Sequence, residues 1–94
     1  MIYNLEFVKS ALKEWEKLDE NIKKILKKKL QDRLQNPVIE LARLHGMKDC
    51  YKIKLRQTGY RLVYKVIEKD IIVLVVAVGK REKNYVYKLV SKRI

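Results

Sequence analysis

Three apolar segments separated by two short interruptions constrain the fold of this chain more than any other feature. The segments span residues 50–57, 60–68 and 71–79, and the interruptions are Thr58-Gly59 and Lys69-Asp70. Both interruptions contain residues typical of tight turns between antiparallel strands. The pattern therefore predicts two consecutive hairpins that form a three-stranded antiparallel meander.

A two-residue loop at Thr58-Gly59 predicts the register of the first hairpin, because it pairs Gln57 with Tyr60. On one face the predicted pairs are apolar: Leu55–Leu62, Ile53–Tyr64 and Tyr51–Val66. On the other face the predicted pairs are Arg56–Arg61, Lys54–Val63 and Lys52–Lys65, which are mostly cationic. One sheet face is thus predicted to be apolar and the other cationic. The third segment is apolar at both alternating sets of positions, which predicts burial on both sides or pairing with a partner.

The cationic face favours an anionic ligand. Like charges that face each other across a strand pair repel and reduce stability. Solvation alone would explain any single lysine, but half-buried strands more often carry threonine or charges of mixed sign on the solvent side. The set as a whole therefore predicts that an anion compensates the repulsion. Its members are Lys52, Lys54, Arg56, Arg61 and Lys65.

Segments with the periods of strands and helices flank the meander. Alternation over residues 2–7 predicts a first strand, and apolar spacings of three or four predict a helix over 8–18. Asp19 is placed to cap a second helix, which Asn36-Pro37 ends. The lysines of this second helix are predicted to form a solvated face. A last helix over 83–93 completes the order β-α-α-β-β-β-α and an α+β fold class.

Composition and charge indicate one domain with a polyanionic partner. The chain has 94 residues, enough for one compact domain over 1–94 and too few for two. Its 48% hydrophobic content excludes disorder as the main state. Lysine and arginine number 23 against 11 acidic residues, a net charge of +12. Such a charge attracts nucleic acid, and equally anionic lipid or an acidic protein.

The single cysteine and single histidine limit the chemistry available to this chain. Cys50 cannot form an internal disulfide, and with His45 alone beside it the sequence provides no zinc site. A reducing cytoplasm is therefore expected. The N-terminus lacks the features of a signal peptide, and the longest apolar run is too short to span a membrane. No metal or cofactor is expected.

Most familiar enzyme motifs are absent, but RNA cleavage remains chemically accessible. The sequence has no glycine-rich phosphate loop and no acidic cluster for magnesium, and one histidine cannot form a two-histidine ribonuclease site. Metal-independent cleavage needs a 2′-hydroxyl deprotonated and aligned, a phosphorane stabilised and a leaving oxygen protonated. Lysine, arginine and tyrosine can perform these tasks when crowded cations favour neutral lysine or tyrosinate.

Strings along almost the whole chain resemble the RelE toxins of bacterial and archaeal toxin–antitoxin systems. They are 11–18, 26–30, Gly46–Arg56, Gly59–Tyr64, Val78–Glu82 and Val86-Tyr87. The resemblance implies a fold like that of small microbial ribonucleases, with two N-terminal helices packed on an antiparallel sheet and a short C-terminal helix. It also implies cleavage of messenger RNA in the ribosomal A site, leaving a 2′,3′-cyclic phosphate, and neutralisation by a RelB-type antitoxin.

Carried over by resemblance, the catalytic positions are Lys52, Lys54, Arg61, Arg81 and Tyr87, each with the family's residue type. Tyr87 would activate the 2′-hydroxyl and stack on a base. Arg61 and Arg81 would hold the scissile phosphate while the two lysines stabilise its developing charge, with Lys54 or Arg81 as proton donor. The further residues expected to bind RNA are Arg56, Lys65, Lys80 and His45. Relatives often have arginine in place of His45, so this contact would be weaker or pH-dependent.

Two other classes of function compete with the ribosome-dependent endoribonuclease. A non-catalytic RNA- or DNA-binding module would explain the charge equally well, but binding alone would not need Tyr87 beside Arg81. A membrane-surface peptide is disfavoured, because the basic residues have no dominant apolar helix face. The expected partners are the antitoxin, the ribosome with messenger RNA, and operator DNA through the antitoxin only.

Overall fold

A computed structural model describes residues 2–80 and 85–93 of the chain, except for the side chains of residues 85 and 86. The strands are β1 (Asn4–Phe7), β2 (Cys50–Leu55), β3 (Tyr60–Ile67) and β4 (Ile72–Lys80), and the α-helices are α1 (Lys9–Glu16), α2 (Glu20–Gln35) and α3 (Tyr85–Arg93). Short 3-10 helices occupy Glu40–Ala42 and Glu68–Asp70. The predicted order β-α-α-β-β-β-α is confirmed. Asp19 lies at the N-cap of α2, although its side chain makes no capping hydrogen bond.

The four strands form one mixed sheet in the order β1-β4-β3-β2. The predicted antiparallel meander of β2, β3 and β4 is confirmed. The first strand joins the opposite side of β4 in parallel, with Leu5 paired to Val73. This arrangement makes β4 an interior strand and leaves β2 at the edge of the sheet.

The predicted register of the first hairpin is wrong by two residues. Leu55 pairs with Tyr60 and Lys54 with Arg61, because the connection spans residues 56–59. The Gly59 N–H donates to the Leu55 carbonyl at 2.9 Å, and Gly59 has a φ of +78°, which glycine adopts without strain. Each side chain keeps its predicted face because side chains alternate with a period of two. The predicted like-charge pairs Lys52–Lys65 and Arg56–Arg61 are replaced by Lys54 opposite Arg61.

The sheet is buried on both faces. Under α1 and α2 lies a first cluster that includes Ala11, Leu26, Leu30, Tyr64 and Val75. On the opposite face, α3 covers a second cluster that includes Cys50, Val63, Val76, Ala77 and Val90. Residues of β4 enter both clusters, with Val73, Val75 and Val78 in the first and Val76 and Ala77 in the second, so its predicted two-sided burial is confirmed. A bulge between Val63 and Tyr64 in the β3–β4 register leaves Val76 without a partner on β3.

The helices differ sharply between their two faces. In α2, Ile22, Leu26 and Leu30 are buried, while most of its lysines are exposed, as predicted.

No helix within residues 2–80 and 85–93 is long and apolar enough to cross a lipid bilayer.

We expect Leu26→Ala to reduce the free energy of unfolding by about 2–5 kcal/mol, because Leu26 is fully buried and alanine would leave a cavity. The matched control is Leu12→Ala in α1, where the leucine is 42% exposed. The control should change the free energy of unfolding much less. Urea denaturation of both variants measures the difference, and equal losses would contradict the assigned core.

Candidate active site

An open cleft of about 250 Å³ lies at the end of the cationic sheet face. The residues that line it are Arg43, Leu44, His45, Lys52, Lys54, Arg61 and Tyr87. The cleft thus brings together four of the five residues predicted to be catalytic, and it adds His45. Arg81, the fifth, lies outside the described residues.

Alternation along the strands positions the three cations of the cleft floor. Lys52 and Lys54 are two residues apart on edge strand β2, so their side chains project from the same face. Arg61 lies on β3 directly opposite Lys54. No carboxylate within residues 2–80 and 85–93 forms an ion pair with any of these three residues. Their positive charge is therefore available to an anion.

Arg61 is the most buried of these cations, at 6% exposure. Its Nη1 donates to the Tyr60 carbonyl at 3.2 Å. Its Nε is buried and has no hydrogen-bond partner in the described part of the chain. A buried guanidinium with an unused donor is costly unless it binds an anion. Arg61 is thus suited to hold a phosphate that enters the cleft.

The crowded cations around Lys54 make its ammonium group more acidic. Its pKa is lowered from the ordinary lysine value, first by the charge of Lys52 and then by partial desolvation, with smaller contributions from Arg61 and Arg56. A lysine with a lowered pKa gives up its proton more readily near neutral pH. Lys54 is therefore a better proton donor than an isolated lysine.

Tyr87 reaches the cleft from a different element than the cations do. It belongs to α3 and packs against the second cluster beside the buried Val90. It is half-buried and lines the cleft together with Lys52, Lys54 and Arg61. The strands and the last helix thus place ammonium, guanidinium and phenol groups around one small space.

The other predicted RNA-binding residues lie outside this cleft. Arg56 lines two neighbouring depressions, and both include Lys54. Lys80 lies over the Tyr60 ring, with its Nζ 5.6 Å from the ring centroid. Lys65 pairs with Cys50 toward the other end of β3. Only Arg56 therefore extends the charge of the cleft directly.

Sequence reasoning missed Arg43, which lies in the connection over 38–49. Its guanidinium donates from Nε and Nη2 to Glu40, at 3.0 and 2.8 Å. It also lies 5.1 Å from the centroid of the Tyr51 ring. The Arg43 guanidinium holds the pKa of the Glu40 carboxyl below its ordinary value. The spacing of three residues between Glu40 and Arg43 was the available signal for this ion pair.

Sequence reasoning also missed Arg33, which binds the backbone of Lys52. Its Nη1 donates to the Lys52 carbonyl at 3.2 Å and to the Tyr64 hydroxyl at 2.9 Å. That hydroxyl in turn donates to the Pro37 carbonyl at 2.7 Å. The network ties edge strand β2 to the C-terminal end of α2. No local sequence pattern reveals it, since Arg33 and Lys52 are far apart in the chain.

The described residues contain no group of three or more His, Cys, Asp or Glu side chains that could hold a metal ion. The burial of Cys50 raises the pKa of its thiol above the ordinary value. Cys50 lies in the second cluster and does not line the cleft.

Comparisons with known proteins agree with this architecture. A family model described as the ParE toxin of the type II toxin–antitoxin system parDE matches residues 5–85. The mRNA interferase toxin RelE of Escherichia coli K12 is 54% identical over 94 residues, which cover 100% of this chain and 99% of the relative. A mutant E. coli RelE in the free state aligns with a TM-score of 0.93 and 53% identity over 100% of this chain and 99% of its own. The toxin in the intact E. coli RelBE toxin–antitoxin complex aligns with a TM-score of 0.83 and 55% identity, over 85% of this chain and 98% of its own.

We expect Lys52→Gln to raise the pKa of Lys54 toward the ordinary lysine value, because the charge of Lys52 is the largest cause of the lowering. NMR titration of the lysine side-chain carbons measures this directly. Lys27→Gln on the exposed face of α2 is the matched control, and it should leave the Lys54 titration unchanged. A Lys54 titration that is the same in wild type and Lys52→Gln would contradict the assigned electrostatics.

Proposed function

Because this chain belongs to the ParE and RelE toxins of type II toxin–antitoxin systems, we propose that it is an endoribonuclease toxin that inhibits translation. Its substrate is messenger RNA in the ribosomal A site. The observation that carries the proposal is the cleft in which Lys52, Lys54 and Arg61 face Tyr87. These groups supply what cleavage of a phosphodiester by its own 2′-hydroxyl requires.

The proposed reaction is an internal transfer at phosphorus. The 2′-oxygen loses its proton and forms a bond to phosphorus, and the bond from phosphorus to the 5′-oxygen breaks. A proton passes to the leaving 5′-oxygen, so the products are a 2′,3′-cyclic phosphate and a 5′-hydroxyl. The transition state carries additional negative charge on the phosphoryl oxygens, and fixed cations stabilise that charge.

Each residue has a proposed part in this reaction. Tyr87 activates the 2′-hydroxyl and stacks on a base, while Arg61 and Arg81 hold the scissile phosphate. Lys52 and Lys54 stabilise the phosphorane. The lowered pKa of Lys54 supports it as the proton donor to the 5′-oxygen. Arg81 is the second candidate donor by resemblance, although an arginine releases a proton much less readily.

The ribosome is the proposed source of much of the rate. Ordinary tyrosine and lysine titrate near pH 10, so they are weak acid–base catalysts at neutral pH unless the substrate is held in line. A messenger fixed in the A site presents its 2′-oxygen and phosphorus to the cleft in one geometry. The cationic surface around Lys54 and Arg56 would hold the complex together.

The proposed partner that silences the toxin is a RelB-type antitoxin, as in the RelBE complex of E. coli. Through that antitoxin the toxin would also contact operator DNA and co-repress its own operon. The proposed place of action is the cytoplasm, where translating ribosomes are found. A neighbouring reading frame that encodes a small DNA-binding protein with an acidic tail would support this assignment.

We expect purified protein to cut messenger RNA efficiently on programmed ribosomes and poorly in free solution, because the described residues of the cleft include no acid–base pair that works unaided at neutral pH. Single-turnover assays with and without ribosomes make the comparison, and analysis of the ends should find the 2′,3′-cyclic phosphate. Cleavage of free messenger at the same sites and rate would contradict ribosome dependence. Ribosome binding without any cleavage would favour the non-catalytic binding module.

We expect Lys54→Ala to slow single-turnover cleavage by about 100- to 1,000-fold, the usual loss for one preorganised charge donor in a transition state. The matched control is Lys27→Ala, which removes one charge from the exposed face of α2. It should cut at nearly the wild-type rate. Lys54 is exposed and surrounded by like charges, so the melting temperature of Lys54→Ala should not be lower than that of the wild type. Near wild-type cleavage by Lys54→Ala would remove this lysine from the reaction.

A further inference from the structure

A network of four hydrogen bonds ties the C-terminal end of α3 to α1 and β4. Arg93 donates from Nη1 and Nη2 to the two carboxylate oxygens of Glu14, at 2.9 and 3.0 Å. The same Nη1 donates to the Val76 carbonyl at 2.8 Å. Glu14 Oε1 also accepts from the Val78 N–H at 3.1 Å. The side chains of Arg93 and Glu14 are only 19% and 23% exposed, which protects the ion pair from solvent.

This network fills a gap in the strand pairing of β4. The partner strand β1 stops at Phe7, opposite Val75, so it offers nothing to the backbone of the next residues. The bulge also leaves Val76 without a partner on β3. Glu14 and Arg93 supply the acceptor and the donor that the missing strand would have provided. We call the set of Glu14, Arg93 and the Val76 and Val78 backbone groups the latch.

The latch holds one end of the helix that carries Tyr87. Between Tyr87 and Arg93 lies Val90, which is fully buried against β3 and β4 in the second cluster. A helix rises about 1.5 Å per residue, so the latch lies about 9 Å along the axis from Tyr87. If the latch opened, α3 could tilt about Val90 and shift Tyr87 relative to the lysines of β2.

We infer that Glu14 and Arg93 are positioning residues, which set the place of Tyr87 in the cleft although neither lines it. The inference rests on the proposed function for its catalytic consequence. A displacement of about 1 Å at a reacting group can cost on the order of 100-fold in rate. The latch is therefore expected to control cleavage from the opposite end of α3.

The test is a double-mutant cycle between the latch and Tyr87. Glu14→Gln keeps an oxygen for the Val78 N–H but loses the charge, and Arg93→Lys keeps the charge but loses the paired contact with the carboxylate. Each is combined with Tyr87→Phe, and single-turnover cleavage on programmed ribosomes is measured. With Tyr87 present, each latch variant should cut roughly 10- to 100-fold more slowly. With Tyr87→Phe, the latch variants should add little further loss.

A role in overall stability alone would give a different result, since the latch variants would then lose the same factor in both backgrounds. Equal losses would overturn the inference. Glu20→Gln is the matched control, because it removes an acid from the exposed ion pair with Lys23. This control variant should cleave RNA at the wild-type rate. Cleavage at the wild-type rate by both latch variants would also overturn the inference.

Amide hydrogen exchange of the free protein tests the latch without reference to RNA. Both latch variants should exchange faster in α3 while β3 keeps its protection, since only the end of one helix has been released. Unchanged exchange in α3 would overturn the inference even if cleavage fell. If wild-type protein did not cut RNA at all, the proposed function would fail, whereas the exchange result would still decide whether the latch holds α3.

Discussion

The burial of β4 on both faces and its pairing along both edges is the constraint on which the rest of the structure depends. Its apolar side chains require α1 and α2 on one face and α3 on the other. In the strand order β1-β4-β3-β2, β4 is interior and β2, which carries Lys52 and Lys54, lies at the edge of the sheet. Because α3 must cover the second face, its residue Tyr87 comes to lie beside the cations of β2 and β3. Packing of the core therefore assembles the cleft.

The cleft concentrates positive charge at a place where that charge contributes least to the stability of the fold. Among the described residues the buried Nε of Arg61 has no hydrogen-bond partner, and Lys52 lowers the pKa of Lys54. A buried unpaired donor and crowded like charges are both unfavourable without an anion, and such arrangements are common at functional sites. Elsewhere polar groups of the described residues have hydrogen-bond partners, as Arg33 has in Tyr64 and Arg93 has in Glu14. The contrast distinguishes the cleft from ordinary surface.

Local patterns predicted most of the fold, and long-range contacts account for what they missed. Turn residues between the segments identified the meander, and the period of two identified the faces of its first hairpin. Neither revealed the four-residue turn closed by Gly59 and Leu55, so the register was wrong by two. The parallel pairing of β1 with β4 joins distant segments and leaves no local signal. Resemblance predicted Lys52, Lys54, Arg61 and Tyr87, which the fold brings together. Arg33 approaches the site only through a tertiary contact with the Lys52 backbone, so its sequence neighbours gave no indication of it.

The proposed function requires RNA to occupy the cleft between β2, β3 and α3, and not the lysine-rich face of α2. Photocrosslinking tests it most directly. The substrate is a messenger in the ribosomal A site with a 2′-deoxy group at the scissile nucleotide, which prevents cleavage, and a photoreactive base beside it. Mass spectrometry then maps the attached peptides. We expect crosslinks to the β2 segment and to the peptide that contains Tyr87. Crosslinks confined to the α2 lysines, from Lys23 to Lys29, would contradict it.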